Sequence, residues 1–139
     1  MKINIQKGMT VNTIKQQFAA NFPFLKLEIF TRRATPGHTT TNDTPAQGEM
    51  LIQNVQPLIC AGTMVIDENT KVSDLESDFA NRFLLKVQVF RRSKNIWLET
   101  FATDGWTLGQ QNEHGRNMTE NSSNPAEEVR DYELHRDED

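Results

Sequence analysis

One pattern of residues occurs twice in this chain, and a repeat of that kind restricts the folds open to it. Residues 9–32 read MTVNTIKQQFAANFPFLKLEIFTR and residues 70–92 read TKVSDLESDFANRFLLKVQVFRR. Val11, Ile14, Phe18, Ala19 and Phe22 align with Val72, Leu75, Phe79, Ala80 and Phe83. After a one-residue gap, Leu25, Lys26, Phe30 and Arg32 align with Leu85, Lys86, Phe90 and Arg92. Each copy must form the same supersecondary element, and the two elements must bury their apolar faces together.

Two periodicities follow one another inside each copy. Val11, Ile14, Phe18 and Phe22 recur at spacings of three and four, as do Val72, Leu75, Phe79 and Phe83, which predicts two amphipathic helices. Asn12 and Ser73 are the expected N-caps, with Glu76 completing a capping box on Ser73, and Pro23 ends the first helix. Strict alternation then takes over. Leu25, Leu27 and Ile29, and likewise Leu85, Val87 and Val89, form the predicted core side of two strands. Shorter alternations at Lys2–Ile5 and Met64–Ile66 supply an opening strand for each copy. Ser93–Asn95 leaves room for a hairpin into IWLETF, residues 96–101. The matching strand of the first copy is MLIQNV, residues 50–55, reached through a loop at residues 34–48 rich in Pro, Gly, Thr and Asn. A last helix is expected over residues 108–114, capped by Thr107 and stopped by Gly115.

The expected fold is therefore α+β: duplicated β-α-β-β units forming a mixed or antiparallel sheet of about six strands, with two helices on one face. Residues 1–115 form one domain, built from repeats at about 1–56 and 63–105 plus the terminal helix. Paired units of this outline resemble the vicinal-oxygen-chelate proteins, which set two β-α-β-β-β modules around a metal. That resemblance implies His and Glu ligands on strands, and the strands here carry no histidine, so neither a metal nor that activity is expected.

Charge is divided unevenly. Residues 113–139 hold nine acidic and three basic side chains, net −6, which leaves 10 acidic and 12 basic before them, net +2. The acidic stretch at 116–139, poor in apolar residues, is expected to be a disordered tail. No apolar run nears the ~18 residues of a membrane span, the start lacks a signal peptide's apolar core, and a single cysteine permits no internal disulfide. A cytoplasmic setting is the expectation. Cys60, inside PLICAG, reads as a small buried hydrophobe.

If the Leu25 side faces the helices, the other side carries Lys26, Phe30, Arg32, Lys86, Phe90 and Arg92, joined by Trp97 and Phe101 from the last strand. Such a face suits self-association or another protein partner, with its aromatic residues as packing. Aromatic rings flanked by cations are also what single-stranded nucleic acid uses, its bases stacking while its phosphates meet Lys and Arg; the acidic tail would compete there as a polyanion mimic. Net +2 is a weak field for a polyanion. A third possibility is a small-molecule or enzymatic pocket between the repeats, closed by the loop with His38 and Asp43; Glu28, Glu49, Glu99 and Asp104 are carboxylates that an active site would draw on. The loop has too few ligands for a metal, and no phosphate loop, nucleophile elbow or paired-cysteine motif is present, so no cofactor is expected. The segment 102–115 is assigned to packing through Trp106 and Leu108, with Gln110, Gln111 and Asn112 as the alternative lining of a cleft. Taken together, the sequence predicts a non-enzymatic assembly domain, homo-oligomeric through the sheet face.

Overall fold

Six strands among the described residues divide into two antiparallel sheets instead of one. The computed structural model describes residues 1–31 and 44–120. In chain order the elements are β1 (Lys2–Ile5), α1 (Val11–Asn21), β2 (Leu25–Thr31), β3 (Thr44–Pro45), α2 (Ile52–Val55), β4 (Gly62–Val65), α3 (Val72–Phe83), β5 (Lys86–Ser93), β6 (Ile96–Glu99), a 3-10 turn at Phe101–Thr103, and α4 (Leu108–Glu120). β1 pairs only with β4, while the larger sheet has the order β3-β2-β5-β6. Side chains explain the division. On β1 the Gln17 amide accepts from Asn4 N–H and donates to Asn4 C=O, both at 2.9 Å, and on β4 the Arg82 guanidinium donates to Thr63 C=O at 2.9 Å. Helix side chains thus take the backbone positions that a third strand would use.

Both long helices begin against a backbone loop, which corrects the expected caps. Val11 and Asn12 N–H donate to Met50 and Gly48 C=O at 2.9 and 3.0 Å; Val72 and Ser73 N–H donate to Trp106 and Asp104 C=O at 3.0 and 2.8 Å. With those donors already satisfied, the cap position falls earlier. Thr10 caps α1, accepting from Thr13 N–H, and α3 starts after Lys71 without a side-chain cap. MLIQNV is not a strand. Leu51 makes one bridge to Thr10, and Ile52 and Gln53 N–H donate to Met9 and Lys7 C=O at 2.7 and 3.3 Å, which starts the short helix α2 and buries Ile52. Part of the expected irregular loop is also regular, since Thr44–Pro45 pairs with β2; a proline is tolerated there because β3 is an edge strand.

The last helix runs past its expected stop. Thr107 does cap it: its hydroxyl accepts from Gln110 N–H at 3.1 Å while the Gln110 side chain accepts from Thr107 N–H at 2.9 Å. Gly115, however, lies buried in mid-helix, where a Cβ would stand 3.0 Å from Arg91 Cγ and 3.1 Å from Phe24 C=O. Its role is close approach of α4 to the sheet, and the helix continues to Glu120, so residues 116–120 are not tail; the rest of that stretch lies outside the described residues.

The core joins Ile3 and Ile5 of β1, Phe18 of α1, Phe79 of α3, the inward side of β2 and β5, and Leu108 of α4. One charge is buried in it. Arg91, 1% exposed, donates to Gln111 at 2.9 Å and lies 5.7 Å from the Trp106 ring; Gln111 in turn donates to Thr103 C=O and hydroxyl at 2.8 and 2.7 Å. This network fixes α4 to β5. Asn112 accepts from Phe24 N–H at 2.9 Å, so Gln111 and Asn112 serve packing, whereas Gln110 is exposed and lines a groove beside α4.

Gly115→Ala is expected to lose about 1–3 kcal/mol of unfolding free energy in urea, because the added methyl forces Arg91 or the Phe24 backbone to shift. Leu84 ends α3 in the left-handed region at φ 55°, ψ 30°. Leu84→Gly should therefore exceed Leu84→Ala in stability by about 1 kcal/mol, since only glycine escapes the Cβ penalty there.

Candidate interaction surface

Register decides which side chains meet. In the β2–β5 ladder Lys26 stands opposite Phe90, Glu28 opposite Gln88 and Phe30 opposite Lys86; in the β5–β6 ladder Phe90 stands opposite Glu99 and Arg92 opposite Trp97. By alternation these lie on the side of the sheet opposite the buried set, with α1 reaching its margin at Glu28, Lys26 and Trp97 and α3 meeting Lys86. Leu25, Leu27, Ile29, Val87 and Val89 alternate with them and are buried, as the sequence pattern requires. Lys26, Phe30 and Phe90 are half-buried, whereas Lys86, Arg92 and Trp97 are exposed.

Phe101 does not extend this row. β6 ends at Glu99, because the Thr100 hydroxyl turns inward to donate to Val89 C=O at 2.8 Å, and Phe101 projects from the following 3-10 turn with 72% of its surface exposed. Arg32, His38 and Asp43 lie outside the described residues.

The centre of the face is a cation held between rings. Lys26 Nζ lies 5.3 Å from the centroid of Phe90 and 5.0 Å from that of Trp97. A cation so placed is attracted by the negative ring faces. Around it stand Lys86 and Arg92, the latter donating through Nε to Lys94 C=O at 2.8 Å. Two carboxylates share the face, Glu99 and Glu28, and Lys15 engages Glu28 at 2.6 Å from α1. Lys26 thus lies against both rings, and Trp97 remains exposed.

A groove of about 500 Å3 along α3 and the free part of the β5 edge is lined by Ser73, Glu76, Ala80, Leu84, Lys86 and Asp104. Glu76 accepts from Val89 N–H at 3.2 Å, a ladder position beyond the reach of β6. Burial raises the Glu76 carboxyl above the ordinary carboxylate range; the hydrogen bond from Val89 opposes this, and Asp104 adds to it. Asp104 thus faces Glu76, while Glu28 is engaged with Lys15. A second groove of about 640 Å3 lies between α4 and the turn at Glu68–Asn69, where the Trp106 and His114 rings meet edge to face at 5.6 Å.

Among the described residues no three His, Cys, Asp or Glu side chains come together as a metal site would need. No described helix is long and apolar enough to cross a membrane. Cys60 is exposed, correcting its reading as buried: Leu58 and Cys60 point outward while Ile59 alone enters the core, so PLICAG is apolar in composition but not in placement. Glu76, expected to complete a capping box on Ser73, instead accepts from Val89 N–H, and no role was expected of Arg91. For Arg91 a signal existed, since it continues the inward parity of Leu85, Val87 and Val89. No protein-family model, curated protein or solved structure matches the chain.

The raised carboxyl gives a pH test. Glu76 holds its proton more tightly folded than unfolded, so its contribution is full below the ordinary carboxylate pKa and is lost as pH rises through the folded value. Glu76→Gln keeps an oxygen for Val89 N–H and removes the titration. Urea midpoints measured between pH 4 and 7 should then decline less, or rise more, with pH in the variant than in the parent.

Proposed function

We propose that this chain is a non-enzymatic interaction domain that self-associates through the outer face of the four-stranded sheet, in a cytoplasmic setting. One observation carries the reading: Lys26, Phe90 and Trp97 form a single partly exposed cluster on the outer face of the sheet, where α1 approaches only alongside Lys26 and through the Lys15–Glu28 pair. Burying two rings and the stem of a lysine supplies apolar area, and the cation gives orientation. We also read the chain as two copies of one unit. That is supported by matching backbone contacts: Val11 and Val72 donate to Met50 and Trp106, while Ile52 and Leu108 donate to Met9 and Thr70. The ladder is centred on an aligned pair, Glu28 opposite Gln88.

Light scattering across concentration and salt tests this reading. Association should not weaken as ionic strength rises, and Trp97→Ala should weaken it at least tenfold, about 1.4 kcal/mol. A chain that stays monomeric at every concentration and salt, with the carboxylates of residues 127–133 neutralised as well as intact, or an oligomer indifferent to both Trp97→Ala and Phe90→Ala, would sink the proposal. Oligonucleotide binding that falls steeply with salt would transfer the face to single-stranded nucleic acid.

A further inference from the structure

We infer that the acidic segment of this same chain, residues 121–139, docks in cis on the Lys26–Phe90–Trp97 face and competes there with a second copy. The inference rests on the reading of that face as a docking surface, and it names an occupant the reading does not require.

Position comes first. The Thr119 hydroxyl, in the last turn of α4, accepts from Lys94 N–H at 3.3 Å and donates to Arg92 C=O at 3.5 Å. Lys94 lies in the two-residue turn between β5 and β6, so the chain leaves α4 at the rim of the sheet, next to Arg92. Reach is ample. Nineteen residues, 121–139, span up to about 60 Å when extended, whereas the six residues of β2 paired with β5 cover about 20 Å.

Charge then selects the surface. Residues 121–139 hold seven acidic side chains (Glu127, Glu128, Asp131, Glu133, Asp137, Glu138 and Asp139) against Arg130 and Arg136, net −5. The face presents Lys26, Lys86 and Arg92, with Lys94 at its rim; Glu99 opposes them, and Lys15 already engages Glu28. Chemistry matches as well as sign. Tyr132 and Leu134 are interspersed with Asp131 and Glu133, an apolar-acidic mixture suited to rings interspersed with cations. Tethering raises the effective concentration of the segment to the millimolar range, so a weak contact suffices to hold the face in cis. Self-association would then require displacement of the segment.

Zero-length carbodiimide coupling of the dilute full-length chain, mapped by mass spectrometry, tests this directly. Expected are amides between Lys26 or Lys86 and Glu127, Glu128, Asp131 or Glu133 within one chain. Their yield should fall several-fold from 0.1 M to 1 M salt, as the screening length shrinks from about 10 to 3 Å. Coupling spread evenly over Lys2, Lys7 and Lys71, or found only between isotopically light and heavy chains, overturns the inference. In parallel, full-length chain carrying Glu127→Gln, Glu128→Gln, Asp131→Asn and Glu133→Gln should self-associate several-fold more tightly than the parent. Association that responds to Trp97→Ala but not to this neutralisation overturns cis docking and leaves the assembly reading intact. Intrachain coupling at Lys26 with association indifferent to Trp97→Ala overturns the assembly reading instead and supports the docking.

Discussion

The ladder between β2 and β5 is the constraint on which the rest depends. Glu28 opposite Gln88 fixes its centre, and from that pair outward every residue of both strands is assigned to one of two sides. Odd-numbered positions carry the leucines, valines and isoleucine that α1 and α3 cover; even-numbered positions carry Lys26, Phe30, Lys86 and Phe90. A slip of one residue would exchange the two sets and place charges in the core, so the buried side determines the composition of the exposed one. The outer cluster thus needs no positioning device beyond the register itself.

Side chains from the helices meet backbone groups on both strands of the small sheet and on β5 of the larger one. Gln17 occupies β1, Arg82 occupies β4, and Glu76 occupies the stretch of β5 that β6 leaves free. Unpaired strand edges recruit other strands indiscriminately, and filling them with side chains suppresses that route. Arg91 contributes from the other side, since its contacts with Gln111 and Trp106 fix α4 against β5 and so bring Thr119 to the sheet rim.

Much of this was legible in the sequence where one element's own periodicity decides the outcome. Both long helices, both long strands and their inward faces follow from spacings within each stretch, and the hairpin follows from strand lengths, though its turn is Lys94–Asn95 because Ser93 still pairs in β5. Contacts with remote backbone were not legible. Asn12 and Ser73 look like caps, but carbonyls of Gly48 and Asp104 meet their N–H groups, which no local pattern reveals. MLIQNV has a strand's composition, yet the carbonyls of Met9 and Lys7 draw its backbone into a helical turn. Gly115 resembles a stop because glycine commonly ends helices; here it is the point where α4 crosses Arg91 and Phe24. Of the candidate surface, the alternation located six members, and only Phe101 among those described left the row, through an inward turn at Thr100.

The strand pairing also has a kinetic consequence. β1 meets β4, and β2 meets β5, across about sixty residues of intervening chain, while β5–β6 is the one hairpin joined by a two-residue turn among the described strands. Non-local ladders demand loop closure before any contact rewards it, which places folding in the slow, high-contact-order regime of milliseconds to seconds. The hairpin forms early and displays Trp97 with Phe90 before β2 arrives with Lys26. During that interval the two rings stand without their cation, so the incompletely folded chain is most prone to misassociate through them.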